Sequence, residues 1–387
     1  MSMSSLPVLC FANRSDFLCE PRSQCVSAFK IPVPPFCLCS GCQLKDLTFF
    51  LTQRLLPCIA MLLKDTSYIV LTGGAGFIGS GVLRVLNDEG IDNIVVVDNL
   101  GSTDKWKNLL HKSFAEVLHK EQLFDWLRGR EKEISAIIHL GACTSTVERD
   151  ANYLLENNYR YSVKLAQFAI AHGIRFIYAS SAATYGSGAQ GFSDQHGTLE
   201  AYFPLNMYGY SKHLFDLWLT RNSLLDRVVG LKYFNVFGPN EYHKGEMAST
   251  IFRFLPTAIK KGSIQLFKSS EPGRFADGDQ VRDFIYIKDA ARMTVQFLNN
   301  TLTGIFNIGM GIPHTWNSLA HSIGKALKKE LEIVYTPMPD YLTGKYQNYT
   351  CADMSKTMKQ NLIRPGFTFE EAVVDYVRSH LLPEKHW

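Results

Sequence analysis

The run Tyr68-Ile69-Val70-Leu71-Thr72-Gly73-Gly74-Ala75-Gly76-Phe77-Ile78-Gly79 decides the reading of this chain. Its apolar opening has the character of a buried strand, and Gly74, Gly76 and Gly79 then fall at the spacing of a dinucleotide fingerprint. Glycine permits the tight turn, lets backbone approach a pyrophosphate and lets the following helix pack closely on the strand. The N-terminus of that helix offers unpaired N–H groups and the positive end of its dipole to phosphate. Nineteen residues beyond Gly79, the strand Ile94-Val95-Val96-Val97 ends in Asp98, where an acid that holds a ribose belongs. The two features together predict a bound nicotinamide dinucleotide.

Working outward, 387 residues accommodate two domains or one large α/β unit with a cap. A hydrophobic fraction of 46% and a charged fraction of 20% are those of a soluble globular chain. The net charge of +4 is spread thinly and makes no case for nucleic acid or a membrane surface. No apolar run approaches the roughly 20 residues that span a bilayer. Seven of the nine cysteines (Cys10, Cys19, Cys25, Cys37, Cys39, Cys42 and Cys58) fall in the first 60 residues. The spacing Cys37-X-Cys39-X-X-Cys42 lacks the second pair of a zinc finger, so no metal is expected. Residues 1–60 show no sustained helical or strand period, and Met61 stands just ahead of the first strand. We expect this segment to be a disordered or non-native extension, and the working compartment to be the reducing cytoplasm.

Beyond Met61 the pattern alternates strand and helix, which argues for a Rossmann-like, doubly wound parallel sheet. Residues 135–139 read as a strand, 153–171 as a long helix stopped at His172-Gly173, and 175–179 as a strand delivering Ser180 and Ser181. Residues 228–233 form another strand, leading to Asn235. From Val236 glycine, proline and charge become interleaved, the mark of a smaller α+β substrate-binding domain. The expected division is 61–235 plus 281–309 for the dinucleotide domain, and 236–280 plus 310–387 for the substrate domain.

Tyr208-Gly209-Tyr210-Ser211-Lys212 places a phenol and an ammonium four residues apart, on one face of a helix. A phenol of pKa about 10 is a poor base at neutral pH. A nearby cation favours phenolate and brings it into a useful range. With Ser181 at a strand end upstream, the three residues suit proton transfer to and from a reacting oxygen.

These residues resemble the extended short-chain dehydrogenase/reductase family, which acts mostly on nucleotide sugars. Four blocks, 139–144, 178–186, 205–212 and 233–245, further resemble the ADP-L-glycero-D-manno-heptose 6-epimerases, which supply the heptose donor of the lipopolysaccharide core. The likeness runs from about Met61 to the end, and His243-Lys244-Gly245 followed by Met247-Ala248-Ser249 is its most particular part. It implies inversion at C6″ of an ADP-heptose through a transient carbonyl, with hydride removed and returned by a bound nicotinamide. Tyr208 and Lys244 would be the two acid/base groups, Ser181 would hydrogen-bond the reacting oxygen, and Lys212 would tune Tyr208 and hold the cofactor. The resemblance also implies cofactor contacts from Gly73, Gly76, Phe77, Ile78, Gly79, Asp98, Asn99, Lys105, Lys120, Leu140, Gly141, Ala142, Cys143, Thr144 and Asn157. Substrate contacts would come from Asn235, Val236, Glu246, Arg253, Phe267, Lys268, Ser269, Ser270, Arg282 and Tyr346, with Arg282 suited to a diphosphate. A homo-oligomer, five subunits in a ring, is implied as well.

The sequence departs from that pattern in three ways. Leu140 replaces an acidic residue, Glu246 and Arg253 stand for a serine and a histidine, and the stretch between Phe267 and Arg282 is longer. The cofactor is also contested: Asp98 favours the free 2′-hydroxyl of NAD, whereas the resemblance favours NADP with Lys105 compensating. We expect NADP. A sugar 4,6-dehydratase would need an acid where Ala182 and Ala183 stand. A UDP-hexose 4-epimerase shares the Tyr/Lys chemistry and needs no Lys244, whereas an inactive dinucleotide-sensing protein would tolerate Tyr208→Phe without losing function.

Overall fold

A computed structural model describes residues 67–339 and 346–387. The expectations for residues 1–60 and for the starting methionine lie outside the described residues. The strands are β1 (Tyr68–Thr72), β2 (Ile94–Asp98), β3 (Glu116–His119), β4 (Ile134–His139), β5 (Arg175–Ser181), β6 (Val229–Tyr233), β7 (Asn235–Phe237), β8 (Ser263–Phe267), β9 (Val281–Tyr286), β10 (Gly304–Ile308), β11 (Pro313–Thr315) and β12 (Glu332–Thr336). Seven of them form one sheet in the order β10-β6-β5-β4-β1-β2-β3, all parallel. Order 3-2-1-4-5-6 with a further strand is the Rossmann arrangement, as expected.

Parallel strands are covered on both faces, so they read as continuous apolar runs. Ile94, Val95, Val96 and Val97 are all buried, as are Ile69, Val70 and Leu71. Full burial of each such side chain contributes about 1.5–3 kcal/mol. Strand β3 escapes sequence reading because it lies at the sheet edge and buries only Leu118. The register brings Thr72 beside His139, Asp98 beside His119 and Ser181 beside Tyr233. The carboxyl ends of the strands thus form one rim, where open α/β sheets bind ligands.

The helices are α1 (Phe77–Asp88), α2 (Leu123–Leu127), α3 (Ala151–Leu154), α4 (Tyr161–Ala171), α5 (Met207–Arg221), α6 (Thr250–Lys261), α7 (Ile287–Val295), α8 (Trp316–Leu327), α9 (Ser355–Lys359) and α10 (Phe369–Asp375). The long helix expected over 153–171 starts at Ala151 and contains a π turn, Leu155–Arg160, between α3 and α4. Its end is as read, with His172 as C-cap and Gly173 at φ 66°. The segment 281–309 divides between layers. Strand β9 joins β7 and β11 in a separate three-stranded sheet, α7 packs on α1, and β10 closes the large sheet. Strands β8 and β12 make a small parallel pair. A second core gathers Phe237, Phe284, Tyr286, Ile251, Leu319 and Tyr376 around the three-stranded sheet. Among the described residues no helix is long and apolar enough to cross a membrane.

Candidate active site

The turn after β1 leaves no room for side chains. A Cβ on Gly79 would lie 2.0 Å from the Gly73 carbonyl oxygen, and one on Gly73 would lie 2.6 Å from the Gly141 nitrogen. Gly73 also has φ +71°, a conformation that L side chains rarely adopt. Helix α1 then starts with Gly76 as N-cap, with no side-chain cap and no acid in its first turn. Its N–H groups stay available, and the cradle fits a diphosphate. The Asp98 carboxylate closes the far side of the turn. Its Oδ2 accepts from Ala75 N at 2.9 Å, and its Oδ1 accepts from Asn99 N at 2.7 Å and Lys105 Nζ at 2.5 Å.

The second turn, after β4, is held by buried polar chains. Gly141 N donates to Thr72 Oγ1 at 3.1 Å, and Thr72 Oγ1 lies 2.6 Å from His139 Nδ1. Ser162 donates to the Asn158 carbonyl, so its oxygen accepts from His139 Nε2 at 2.8 Å. Burial drives the His139 pKa down to about 3, which fixes a neutral ring in that role. Asn158, buried in the π turn, accepts from Cys143 N at 2.8 Å and donates to Cys143 O at 2.9 Å. It also donates to Ser211 Oγ on α5 at 3.0 Å. The neighbouring Asn157 accepts from Lys120 Nζ at 2.8 Å.

One wall of the cleft combines the end of β5 with α5. Asn206 caps α5 by accepting from Gly209 N at 2.8 Å, and a Cβ on Gly209 would meet Ala183 O at 2.8 Å. This close approach brings Tyr208 to the side of the cleft that Ser181 lines. Burial raises the Tyr208 pKa, and the nearby Ser181 hydroxyl opposes that rise. Lys212, buried one turn on, donates to Ala179 O at 2.9 Å. Burial lowers its pKa to about 8, against the pull of Asp216. Asp216 is itself ion-paired with Lys232 at 2.8 Å, both fully buried, and accepts from Tyr178 and Ser180.

A second part of the wall is the short helical turn Tyr242–Met247, kinked at Gly245 with φ 53° and ψ −124°. Lys244 Nζ stands 5.2 Å from the centroid of the Phe77 ring. Burial lowers the Lys244 pKa, and the charge of Glu241 opposes this. Buried Glu241 accepts from Ser249 N and Ser249 Oγ, both at 2.6 Å, and from Tyr376 Oη at 2.8 Å. At the far end, the Arg282 guanidinium carbon lies 4.8 Å from the Tyr346 ring centroid and 5.6 Å from that of Trp316. Arg282 is almost wholly buried.

One cleft of about 600 Å³ opens among these groups. It gathers Ser181, Tyr208, Lys212 and Lys244 with Gly73, Gly76, Phe77, Ile78, Gly79, Asp98, Lys105, Leu140, Gly141, Ala142 and Thr144. Asn235, Val236, Arg253, Arg282 and Tyr346 line it too. Asn99, Lys120, Cys143, Asn157, Glu246, Phe267, Lys268, Ser269 and Ser270 do not. The exposed Glu246 side chain sits 3.9 Å from Arg253, while Ser269 N donates to Asp277 and Lys268 N to Thr336 O. Sequence reasoning left out His243, Thr146 and Trp316, all part of the lining. His243 was signalled by its neighbour Lys244; Trp316 carried no local signal, since only the packing of α8 brings it to Arg282.

Comparison with known proteins agrees with this geometry. A profile described as the NAD dependent epimerase/dehydratase family matches residues 69–309. The chain is 46% identical over 315 residues to the ADP-L-glycero-D-manno-heptose-6-epimerase of Nitratidesulfovibrio vulgaris, covering 81% of this chain and 97% of that protein. It is 40% identical over 328 residues to the protein of that name from Fusobacterium nucleatum, covering 82% and 98%. The crystal structure of the Helicobacter pylori ADP-L-glycero-D-manno-heptose-6-epimerase superposes with a TM-score of 0.68 at 26% identity, covering 81% and 96%. With cleft, turn and likeness in agreement, the chain belongs to the NAD dependent epimerase/dehydratase family and, within it, to the ADP-L-glycero-D-manno-heptose 6-epimerases.

Proposed function

We propose that this isomerase inverts C6″ of ADP-D-glycero-β-D-manno-heptose through two acid/base groups on separate parts of the cleft wall, Tyr208 and Lys244. The observation that carries the reading is the cleft itself, which gathers both groups over a cradle fit for a dinucleotide diphosphate. When bound, the nicotinamide supplies hydride acceptance from C6″ and hydride return to it. Tyr208 takes or gives the hydroxyl proton at one face, with Ser181 donating to the same oxygen. The Lys212 cation favours the Tyr208 phenolate. Lys244 does the equivalent proton transfer when the other face is presented, and its lowered pKa suits a lysine used as a base. Arg282 holds the substrate diphosphate, with Tyr346 and Trp316 fixing its plane.

The cofactor we assign is NADP. Asp98 is already engaged by Ala75 N, Asn99 N and the Lys105 ammonium, so its charge is compensated where a 2′-phosphate would sit. An assembly of several copies, pentameric by the family likeness, working in the cytoplasm completes the proposal. The test is conversion of the D-glycero to the L-glycero epimer without added cofactor, followed by NMR, with the cofactor released by denaturation and identified by mass. No conversion, with NAD or NADP supplied, would turn the assignment to UDP-hexoses, and released NAD would reverse the cofactor choice.

A further inference from the structure

Lys244 sits on a loop, yet the proposed chemistry requires it at a fixed place relative to the cofactor cradle. One buried side chain joins the two. Asn108, 1% exposed and outside the cleft lining, donates through Nδ2 to Ala75 O of the glycine turn at 3.0 Å and to Asn240 O at 2.9 Å. Those two bonds use both amide hydrogens, and His243 Nδ1 lies a further 3.3 Å away. Its Oδ1 accepts only, so His386 Nδ1, at 2.9 Å, is the donor there.

The partner residue is equally constrained. Asn240 has φ +78°, a left-handed conformation that asparagine tolerates better than most residues. It is held by donation to Ser80 Oγ on α1 at 3.0 Å and to Trp387 O at 2.9 Å, and by accepting from Trp387 N at 2.8 Å. Tyr242 donates to Lys385 O at 2.8 Å, and its ring meets the edge of His386 at 4.8 Å. Residues 385–387 thus brace the base of the loop that carries Lys244.

Resting on the two-base reading above, we propose that Asn108 is a positioning residue that ties the Lys244 loop to the glycine turn, with segment 385–387 locking the tie. Removing the amide leaves two backbone carbonyls without their donor and lets the loop move independently of the cradle, while Tyr208 and Ser181 keep all their own contacts.

The test uses the full chain with its own bound cofactor. Asn108→Ala is expected to lower kcat at least tenfold while KM for the ADP-heptose stays within about threefold. Hydrogen exchange at the Lys244 and Ala248 amides, both bonded inside the loop, is expected to speed at least tenfold, with α5 unchanged. His386→Ala should move both readouts in the same direction by about threefold, and it carries the test alone if Asn108→Ala does not fold. Adding Asn108→Ala to Lys244→Met should cause no further loss of kcat. An unchanged kcat in the folded variants, or exchange that rises equally throughout the chain, overturns the proposal. Full activity in Lys244→Met would instead overturn the two-base reading, and exchange, which needs no turnover, would still decide whether Asn108 holds the loop.

Discussion

The two walls of the cleft present the same kind of group by different means. On one, Ser181, Tyr208 and Lys212 project from the end of a strand and the first turns of a 15-residue helix. On the other, Lys244 projects from six residues of irregular turn whose path depends on Glu241, Asn240 and Asn108. Regular backbone makes the first wall, so the helix itself sets the spacing of Tyr208 and Lys212. Buried side chains from distant parts of the chain make the second, so its geometry is a property of the finished fold.

The largest expected effect tests the first wall. Tyr208→Phe should lower kcat about 1000-fold, equivalent to about 4 kcal/mol of barrier, with cofactor retained as judged by absorbance of the denatured supernatant. Activity near wild type would dissolve the comparison, because the regular wall would then carry no chemistry. Lys244→Met should cost about 100-fold, or about 2.7 kcal/mol, in the same assay. Equal, total losses in both variants would mean that neither proton site can cover for the other.

The third effect concerns what holds the irregular wall. Glu241→Ala strands the Ser249 and Tyr376 donors and should reduce unfolding free energy by about 2 kcal/mol, measured by urea titration. A shift below about 0.5 kcal/mol would show that the turn holds itself. The smallest effect is a pH dependence of the regular wall. In the proposed mechanism Lys212 acts as a cation on Tyr208, and burial brings its pKa to about 8, so kcat should fall about twofold as pH reaches 8 and further above it. Stability moves the other way: the unfolded chain, with an ordinary lysine pKa near 10.5, binds more protons between pH 8 and 10.5, so Lys212 contributes a rise in stability with pH across that window. Lys212→Met should abolish both slopes; a falling limb that persists in that variant belongs to another group.

What the sequence made legible follows the same division. The glycine turn, Asp98 and the pair Tyr208 and Lys212 were readable because each is a local backbone or spacing requirement. Strand β9 was not: Arg282 and its neighbours look like an ordinary buried strand, and only pairing with β7 and β11 puts them in the small sheet. Asn108 and Trp316 carry no local mark at all, since their roles come from contacts with residues 33 to 278 positions away or from the seating of a whole helix. Phe267 to Ser270, placed by resemblance beside the substrate, fall at the end of β8, with Lys268 and Ser269 bonded to Thr336 and Asp277.

The π turn at Leu155–Arg160 works as a gear tooth. One additional residue within its ring lets two consecutive asparagines engage separate partners, Asn157 the Lys120 ammonium and Asn158 the Cys143 backbone. Deleting a single residue there would close the ring to the ordinary helical pitch, and the two asparagines could no longer both reach the partners they hold. The number of residues between Asp150 and Tyr161 therefore sets which partners Asn157 and Asn158 can hold, and through them the seating of the turn after β4.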